Sequence, residues 1–358
     1  MAGTVAWRVT VAQRREPLRP VAAGVGDLFT ELPAQLRPPA QVPDLPTDRA
    51  AGQGVLIYHL RDGIDSFDPD SRSFDQNDVY LVTRSGEHFR IGRTPAKVEP
   101  LNLSLSPDGR WLGAKRDGRW RVRDLSGTAE YEVADGYELW HWSTDARSLL
   151  LAEPGVNGRA FATMALPGGG VRLLGVRSSG IATEVAFIGG RELAVFDAIP
   201  LVRPFTTQEL KVTLKDVLTG TSRTVPVIGP GQMGPGETVG PLIALWHVGG
   251  NPPTIWTEVG RPDLVPTDLP EGPLVLPSVA LLGVDVTSGA PTTRIELPNT
   301  AVDEGRQLCL GVVADGVVLQ RWTAKSTELI VVDAHRNTRR VVTTFPETVI
   351  VLVPGARA

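Results

Sequence analysis

From Gly54 onward the chain alternates short apolar, β-branched runs with polar breaks that carry glycine. The runs include GVLIYHL at 54–60, VYLVT at 79–83, TEVAFI at 183–188, ELAVF at 192–196, VALLGVDV at 279–286 and ELIVVD at 328–333. Runs of this length and character, bounded by turn formers, predict strands. No long segment shows the 3.6-residue period of an amphipathic helix. The pattern therefore predicts an all-β chain.

The breaks recur in order. One kind separates two apolar runs: Asp108-Gly109, Asp145-Ala146, Gly189-Gly190, Gly249-Gly250 and Asp315-Gly316. A second kind follows later in each unit: Ser85-Gly86, Ser126-Gly127, Gly168-Gly169, Thr219-Gly220, Ser288-Gly289 and Arg336-Asn337. Such residues tolerate the positive φ of tight hairpins. The second set advances by 41, 42, 51, 69 and 48 residues. A period near 40 with four strands per unit is the mark of a β-propeller. The clearest unit, 101–133, places strands at 101–106, 110–116, 119–124 and 128–133. Six units follow in all, at 54–93, 101–133, 139–174, 183–228, 242–297 and 307–343. The first lacks an inner strand before Gly54, and TVIVLV at 348–353 can supply it. The expected fold is a single propeller of four-stranded antiparallel blades, closed by the C-terminal strand, which leaves no sheet edge at the join. Seven blades stay open, because the fifth unit is long enough to hold extra strands.

Ser106-Pro107-Asp108-Gly109-Arg110-Trp111-Leu112 resembles the signature of TolB-like, WD-repeat-like propellers. In that family an SPDG turn joins the inner strand to the next. The segment 142–150 keeps the serine and aspartate of this turn and loses its proline and glycine. The other units match in pattern only. The resemblance spans 54–353 and implies the scaffold rather than an activity.

Residues 1–53 read differently. Pro17, Pro20, Pro33, Pro38, Pro39, Pro43 and Pro46 predict an extended, polyproline-like arm, with room for one short helix at 25–36. The two expected parts are thus this arm and a propeller over 54–358. The apolar run Ala2 to Trp7 ends at Arg8, far short of the ~20 residues of a membrane span. A membrane tether is expected only if the natural gene starts upstream. As written the chain reads as cytoplasmic, and its compartment stays open.

Composition narrows the function. With 42% hydrophobic and 21% charged residues and a net charge of −4, the chain is not of the disordered class, and no nucleic-acid partner is expected. One cysteine excludes a disulfide framework and a multi-cysteine zinc site. Cys309, in LCLGVV, reads as a buried small hydrophobe. Lysine occurs only at Lys97, Lys115, Lys211, Lys215 and Lys325; the arginine bias suggests a GC-rich, actinobacterial genome.

In a propeller, connections between second and third strands share one face with the links between blades. The long insertions 61–78, 198–208, 260–277 and 229–240 all fall there, while the tight turns fall on the other. Function tends to sit on loops held by a rigid scaffold, so the long-loop face is the expected recognition side. Trp140-His141-Trp142 begins a predicted inner strand. Strict alternation would point both tryptophans one way and His141 the other, as a stacking platform at the channel mouth or as blade packing. Acids recur near inner-strand starts: Glu99, Glu138, Glu184, Glu237, Glu304 and Glu347. Counted back from the turn glycine their offsets do not align. The candidate ligand-binding residues are therefore Trp140, His141, Trp142, Glu138, Glu184 and Glu304.

Other motifs fail on inspection. The aspartate-rich loop 62–78 lacks the calcium-loop pattern, since Arg72 stands at a ligand position. Gly229-Pro230-Gly231-Gln232-Met233-Gly234 fits G-x-G-x-x-G, but Pro235, Gly236, Gly240 and Pro241 deny it the following helix. There is no G-x-S-x-G elbow and no H-E-x-x-H. His59, His88, His141, His247 and His335 lack metal-site spacing. Asn102-Leu103-Ser104 is a glycosylation sequon inside a predicted inner strand. No cofactor, metal site or catalytic residue is expected. The leading reading is a non-enzymatic scaffold that binds a protein or small ligand through its long-loop face. The alternatives are a glycan hydrolase or lyase with carboxylates at the channel mouth, and a structural module of a cell-envelope assembly.

Overall fold

The computed structural model describes residues 28–60, 78–93, 102–155, 158–177, 184–188, 191–196, 210–228, 233–239, 247–249, 254–261, 278–285, 288–297, 307–313, 316–323, 326–333 and 338–356. Their sheets form a six-bladed β-propeller. Blade 1 contains β1 (Gly54–Leu60), β2 (Asp78–Thr83) and β3 (His88–Arg93). Blade 2 contains β4 (Leu103–Leu105), β5 (Trp111–Arg116), β6 (Arg119–Asp124) and β7 (Glu130–Glu132). Blade 3 contains β8 (Glu138–Trp142), β9 (Ser148–Gly155), β10 (Gly158–Ala165) and β11 (Val171–Arg177). Blade 4 contains β12 (Glu184–Ile188), β13 (Glu192–Phe196), β14 (Leu210–Asp216) and β15 (Ser222–Ile228). Blade 5 contains β16 (Thr238–Val239), β17 (His247–Gly249), β18 (Thr254–Gly260), β19 (Ser278–Asp285) and β20 (Pro291–Glu296). Blade 6 contains β21 (Gln307–Val313), β22 (Gly316–Trp322), β23 (Thr327–Asp333) and β24 (Thr338–Phe345).

The last strand, β25 (Val349–Leu352), is the inner strand of blade 1. It pairs antiparallel with β1, with Ile57 opposite Leu352 and Leu60 opposite Val349. The chain end thus closes the ring as the repeat predicts. The fifth unit hides no seventh blade. Its extra length splits the inner strand, so that β16 pairs with one end of β18 and β17 with the other.

Each of the six seams between blades holds its own hydrophobic cluster. This follows from the alternation within strands: one set of side chains faces the blade before and the other the blade after. Both faces of each sheet are therefore buried, which explains why the runs read as continuously apolar.

The tight turns are closed by short side chains. At 106–110 the Ser106 hydroxyl donates to Asp108 Oδ1 at 2.6 Å and accepts from Trp111 N at 2.8 Å, while Asp108 Oδ1 also accepts from Arg110 N. At 143–147 Ser143 and Asp145 make the same bonds to each other, to Arg147 N and to Ser148 N. The Ser-x-Asp pair therefore builds the turn, with or without proline and glycine. Ala146 occupies the left-handed position at φ 57°, where Gly109 has φ 68°. Gly109 is required for a second reason: a Cβ there would lie 2.0 Å from the carbonyl oxygen of Gly54, whose amide bonds to Gly109 O.

The N-terminal arm departs from expectation. Its described part, 28–53, is extended as its prolines require, but it is packed against the propeller. Leu28, Phe29 and Leu36 are buried in the seam between blades 6 and 1. The short helix expected at 25–36 reduces, in the described part, to a 3₁₀ turn at Leu28 and Phe29.

Candidate functional site

Because strands within a blade are antiparallel, the connections between second and third strands emerge at one end of the ring, together with the links between blades. The connections 61–77, 197–209 and 261–277 join β1 to β2, β13 to β14 and β18 to β19. The strand ends that bear the long insertions therefore share one face. All of these connections but Arg261 lie outside the described residues, as do 229–232 and 240 of the link.

The inner strand β8 carries most of the candidate residues, and a β-bulge changes their directions. Leu139 faces Leu151, and the next pairing is His141 with Leu150. One extra residue has entered the strand between them. Leu139 and Trp142 consequently join the cluster between blades 2 and 3, whereas Trp140 packs into the one between blades 3 and 4. The expectation that both tryptophans share a side is corrected by this bulge, because alternation holds only where the ladder is regular.

Trp142 is 1% exposed. Its Nε1 donates to Ser104 Oγ of blade 2 at 2.6 Å. Trp140 is only partly buried, and its Nε1 donates to the carbonyl oxygen of Val185 in blade 4 at 3.1 Å. The Arg159 guanidinium lies 4.4 Å from the Trp140 ring centroid, and the Phe161 ring meets that ring edge-on. His141 is buried, with Nδ1 2.6 Å from the Trp142 carbonyl oxygen. Glu138 receives Lys115 Nζ and Trp120 Nε1, both at 2.6 Å and both from blade 2. Trp140, Trp142 and Glu138 thus tie blade 3 to its neighbours.

Four of the acids stand at or just before the inner strands. Glu138 and Glu184 are the first residues of β8 and β12, Glu237 immediately precedes β16, and Glu347 stands two before β25. Glu237 is held by both terminal nitrogens of Arg294, at 3.0 and 2.7 Å, and accepts the Gly234 amide. The Arg294 guanidinium holds the Glu237 carboxyl below its ordinary value. Glu347 is exposed. The Glu184 side chain, Glu99 and Glu304 lie outside the described residues. Among the described residues no three His, Cys, Asp or Glu side chains are grouped to hold a metal ion. Cys309 is buried, and burial raises its thiol well above the ordinary range.

A second repeated residue was legible but not singled out. Aspartate ends the third strand of blades 2, 4, 5 and 6, as Asp124, Asp216, Asp285 and Asp333. Asp124 accepts Ser126 N and both Arg110 donors. Asp216 accepts Leu218 N and Thr219 N and pairs with Arg191 at 2.7 Å. Amides of the turn, led by Thr219, together with Arg191 lower the Asp216 carboxyl to about 2. For Asp124 burial raises the carboxyl, and the bonds from Arg110 and Ser126 outweigh it, leaving a net lowering. The signal is an Asp two or three residues before the Ser126-Gly127, Thr219-Gly220, Ser288-Gly289 and Arg336-Asn337 turns. Its role is structural: it caps the tight-turn face.

No family model matches the chain, and no curated protein matches its sequence. Solved structures of similar fold include TolB from Acinetobacter baumannii, 15% identical, covering 80% of this chain and 62% of that one at a TM-score of 0.43. They also include an oligogalacturonate lyase in complex with manganese, 13% identical over 75% of this chain and 70% of that one, TM-score 0.41. A third is the β-propeller domain of the trilobed protease from Pyrococcus furiosus, 11% identical over 81% and 83%, TM-score 0.41. The chain thus spans less than two thirds of the TolB chain it matches. These are propellers the chain is similar to; its own blade count and closure rest on its own strand pairing.

Proposed function

We propose that this chain is a non-enzymatic propeller scaffold that binds a protein or other ligand through its long-loop face, with Trp140 and Arg159 in the described part of that surface. The carrying observation is the asymmetry of the ring. Its long connections emerge at one end, and the described turns at the other are closed by their own serines and aspartates. The state of Glu138 and Glu237 supports a scaffold over a glycan-cleaving site. A general acid or nucleophile must be free to exchange a proton or attack. These two carboxylates are instead held by lysine, tryptophan and arginine donors from their own and neighbouring blades.

The test replaces 61–77, 197–209 and 262–277 with short Gly-Ser linkers, singly and together. The fold is expected to survive, with an unchanged circular dichroism spectrum, because loop length costs little. Cross-linked partners from the native host should be lost with the loops and retained in an Arg191→Ala control on the opposite face. Partners that persist without all three loops would overturn the reading, as would turnover of a polysaccharide panel by the intact chain.

A further inference from the structure

Residues 346–348 carry the chain across the seam between blades 6 and 1, from β24 of blade 6 to β25, and β1 of blade 1 is joined to β25 by strand pairing alone. The blade 6 side of that seam holds the closing strand by its backbone. Gln320 Nε2 and Trp322 Nε1 both donate to the Val349 carbonyl oxygen, at 2.6 and 3.1 Å. Thr327 Oγ1 donates to Glu347 O and accepts from Val349 N. Between this strap and the outer edge of blade 6 lies an apolar groove walled by Tyr58, Leu329, Val342 and Phe345. The arm fills it. Phe29 and Leu36 are each 1% exposed there.

The arm is bound as an extended peptide is bound. Thr344 of β24 donates its amide to Ala34 O and accepts from Leu36 N, both at 3.0 Å, which forms one rung of a parallel ladder. Arg90 of β3 does the same with Pro43 O and Leu45 N. The prolines contribute acceptors only, which suits their missing N–H groups. Pro33 O accepts from Thr343 Oγ1 at 2.8 Å, and Pro46 O from Arg123 at 2.6 Å. Glu31–Arg84 and Asp44–Arg90 pairs sit at the surface. Backbone rungs on a sheet edge with apolar side chains in pockets are the components of peptide recognition by strand addition. The arm also covers the outer edges of the two blades that meet at the seam, which would otherwise be open to pairing.

We propose that residues 28–46 are an intramolecular peptide ligand of the propeller, with 28–36 in the groove between blades 6 and 1 and 43–46 along β3 toward blade 2, and that occupation of this groove sets the stability of the closed ring. The groove is a binding site for an extended apolar, proline-bearing peptide, filled in cis by the chain itself. Removal of the arm then opens the seam rather than trimming a tail.

The test keeps the whole chain. A protease recognition sequence inserted between Asp48 and Arg49, where 47–50 are exposed, allows the arm to be cut after folding. The cut fragment is expected to co-elute with the propeller at high concentration and to leave on dilution. Its loss should lower the melting temperature by roughly 5–10 °C, and a synthetic 28–46 peptide should restore it in a saturable manner. The same peptide with Phe29→Asp and Leu36→Asp should restore nothing. An unchanged melting temperature after the fragment has left would overturn the proposal. So would equal restoration by the doubly substituted peptide. A cut propeller that unfolds and is not rescued by saturating peptide would also overturn it.

Discussion

Between blades 2 and 3 the chain runs on without interruption, and the seam is filled by Trp111, Trp120 and Trp142, with Trp120 and Trp142 donating hydrogen bonds across it. Between blades 6 and 1 the chain crosses at 346–348 into β25, whose pairing with β1 joins the two ends of the propeller, and neither blade carries a tryptophan into the cluster. The cluster is completed instead by segments from both termini: Leu28, Phe29 and Leu36 from the arm, and Val349, Val351, Val353 and Ala356 from the C-terminal stretch. Beyond β25 the tail also reaches blade 2, where Gly355 N donates to Leu105 O. A seam between consecutive blades needs only complementary side chains, because the linker already holds the blades close. The seam between blades 6 and 1 has such a linker at 346–348, but the blade it reaches is completed only by the pairing of β25 with β1, which has to recover the entropy of bringing distant segments together. It does so with more backbone pairing and with additional chain.

The largest expected effect comes from breaking the closing seam outright. Deleting 349–358 removes the inner strand of blade 1 and its pairing with β1, and should abolish the cooperative thermal transition. A truncated chain that melts as the intact one does would show that the two seams are equivalent after all. Next come single anchors, one from each seam. Phe29→Ala and Trp142→Ala each empty a fully buried aromatic site and should cost about 3–5 kcal/mol in denaturant unfolding. If Phe29→Ala costs less than about 1 kcal/mol, the arm is not part of the seam.

Smaller changes sharpen the contrast. Glu138→Gln removes the charge that faces Lys115 but leaves an acceptor for Trp120, and should cost about 1 kcal/mol at this part-exposed pair. Tyr58→Phe should be neutral or stabilising by up to about 1 kcal/mol, because the buried Tyr58 hydroxyl has no hydrogen-bond partner among the described residues. A control lies away from both seams. The folded Asp216 carboxyl sits at about 2 against an ordinary 3.8, so its contribution to stability is present above that ordinary value and is lost as pH falls from 3.8 toward 2. Asp216→Asn should therefore flatten the acid limb of stability between pH 5 and 2, without changing the response to either seam variant.

Much of this was legible along the chain. The six units, the tight turns and the closing strand could be read because local signals coincide: apolar runs, Asp-Gly and Ser-Gly turns, and a spare strand at the end. The direction of Trp140 could not be read, since one inserted residue reverses a side chain and nothing in ELWHW marks it. The prolines of the arm foretold an extended path but not a docked one, because what Phe29 and Leu36 pack against lies some three hundred residues away.

The sequence by itself thus determined strand, turn and repeat, which depend on neighbours along the chain: alternation buries both faces of each sheet, and Ser-x-Asp closes a turn with its own hydroxyl and carboxylate. Only the tertiary structure decided which side chains became structural. Glu138, Trp140 and Trp142 take their roles from partners in other blades, and the arm takes its role from the groove where the chain ends meet. Those contacts join residues distant in the sequence, and their geometry exists only once the ring has closed.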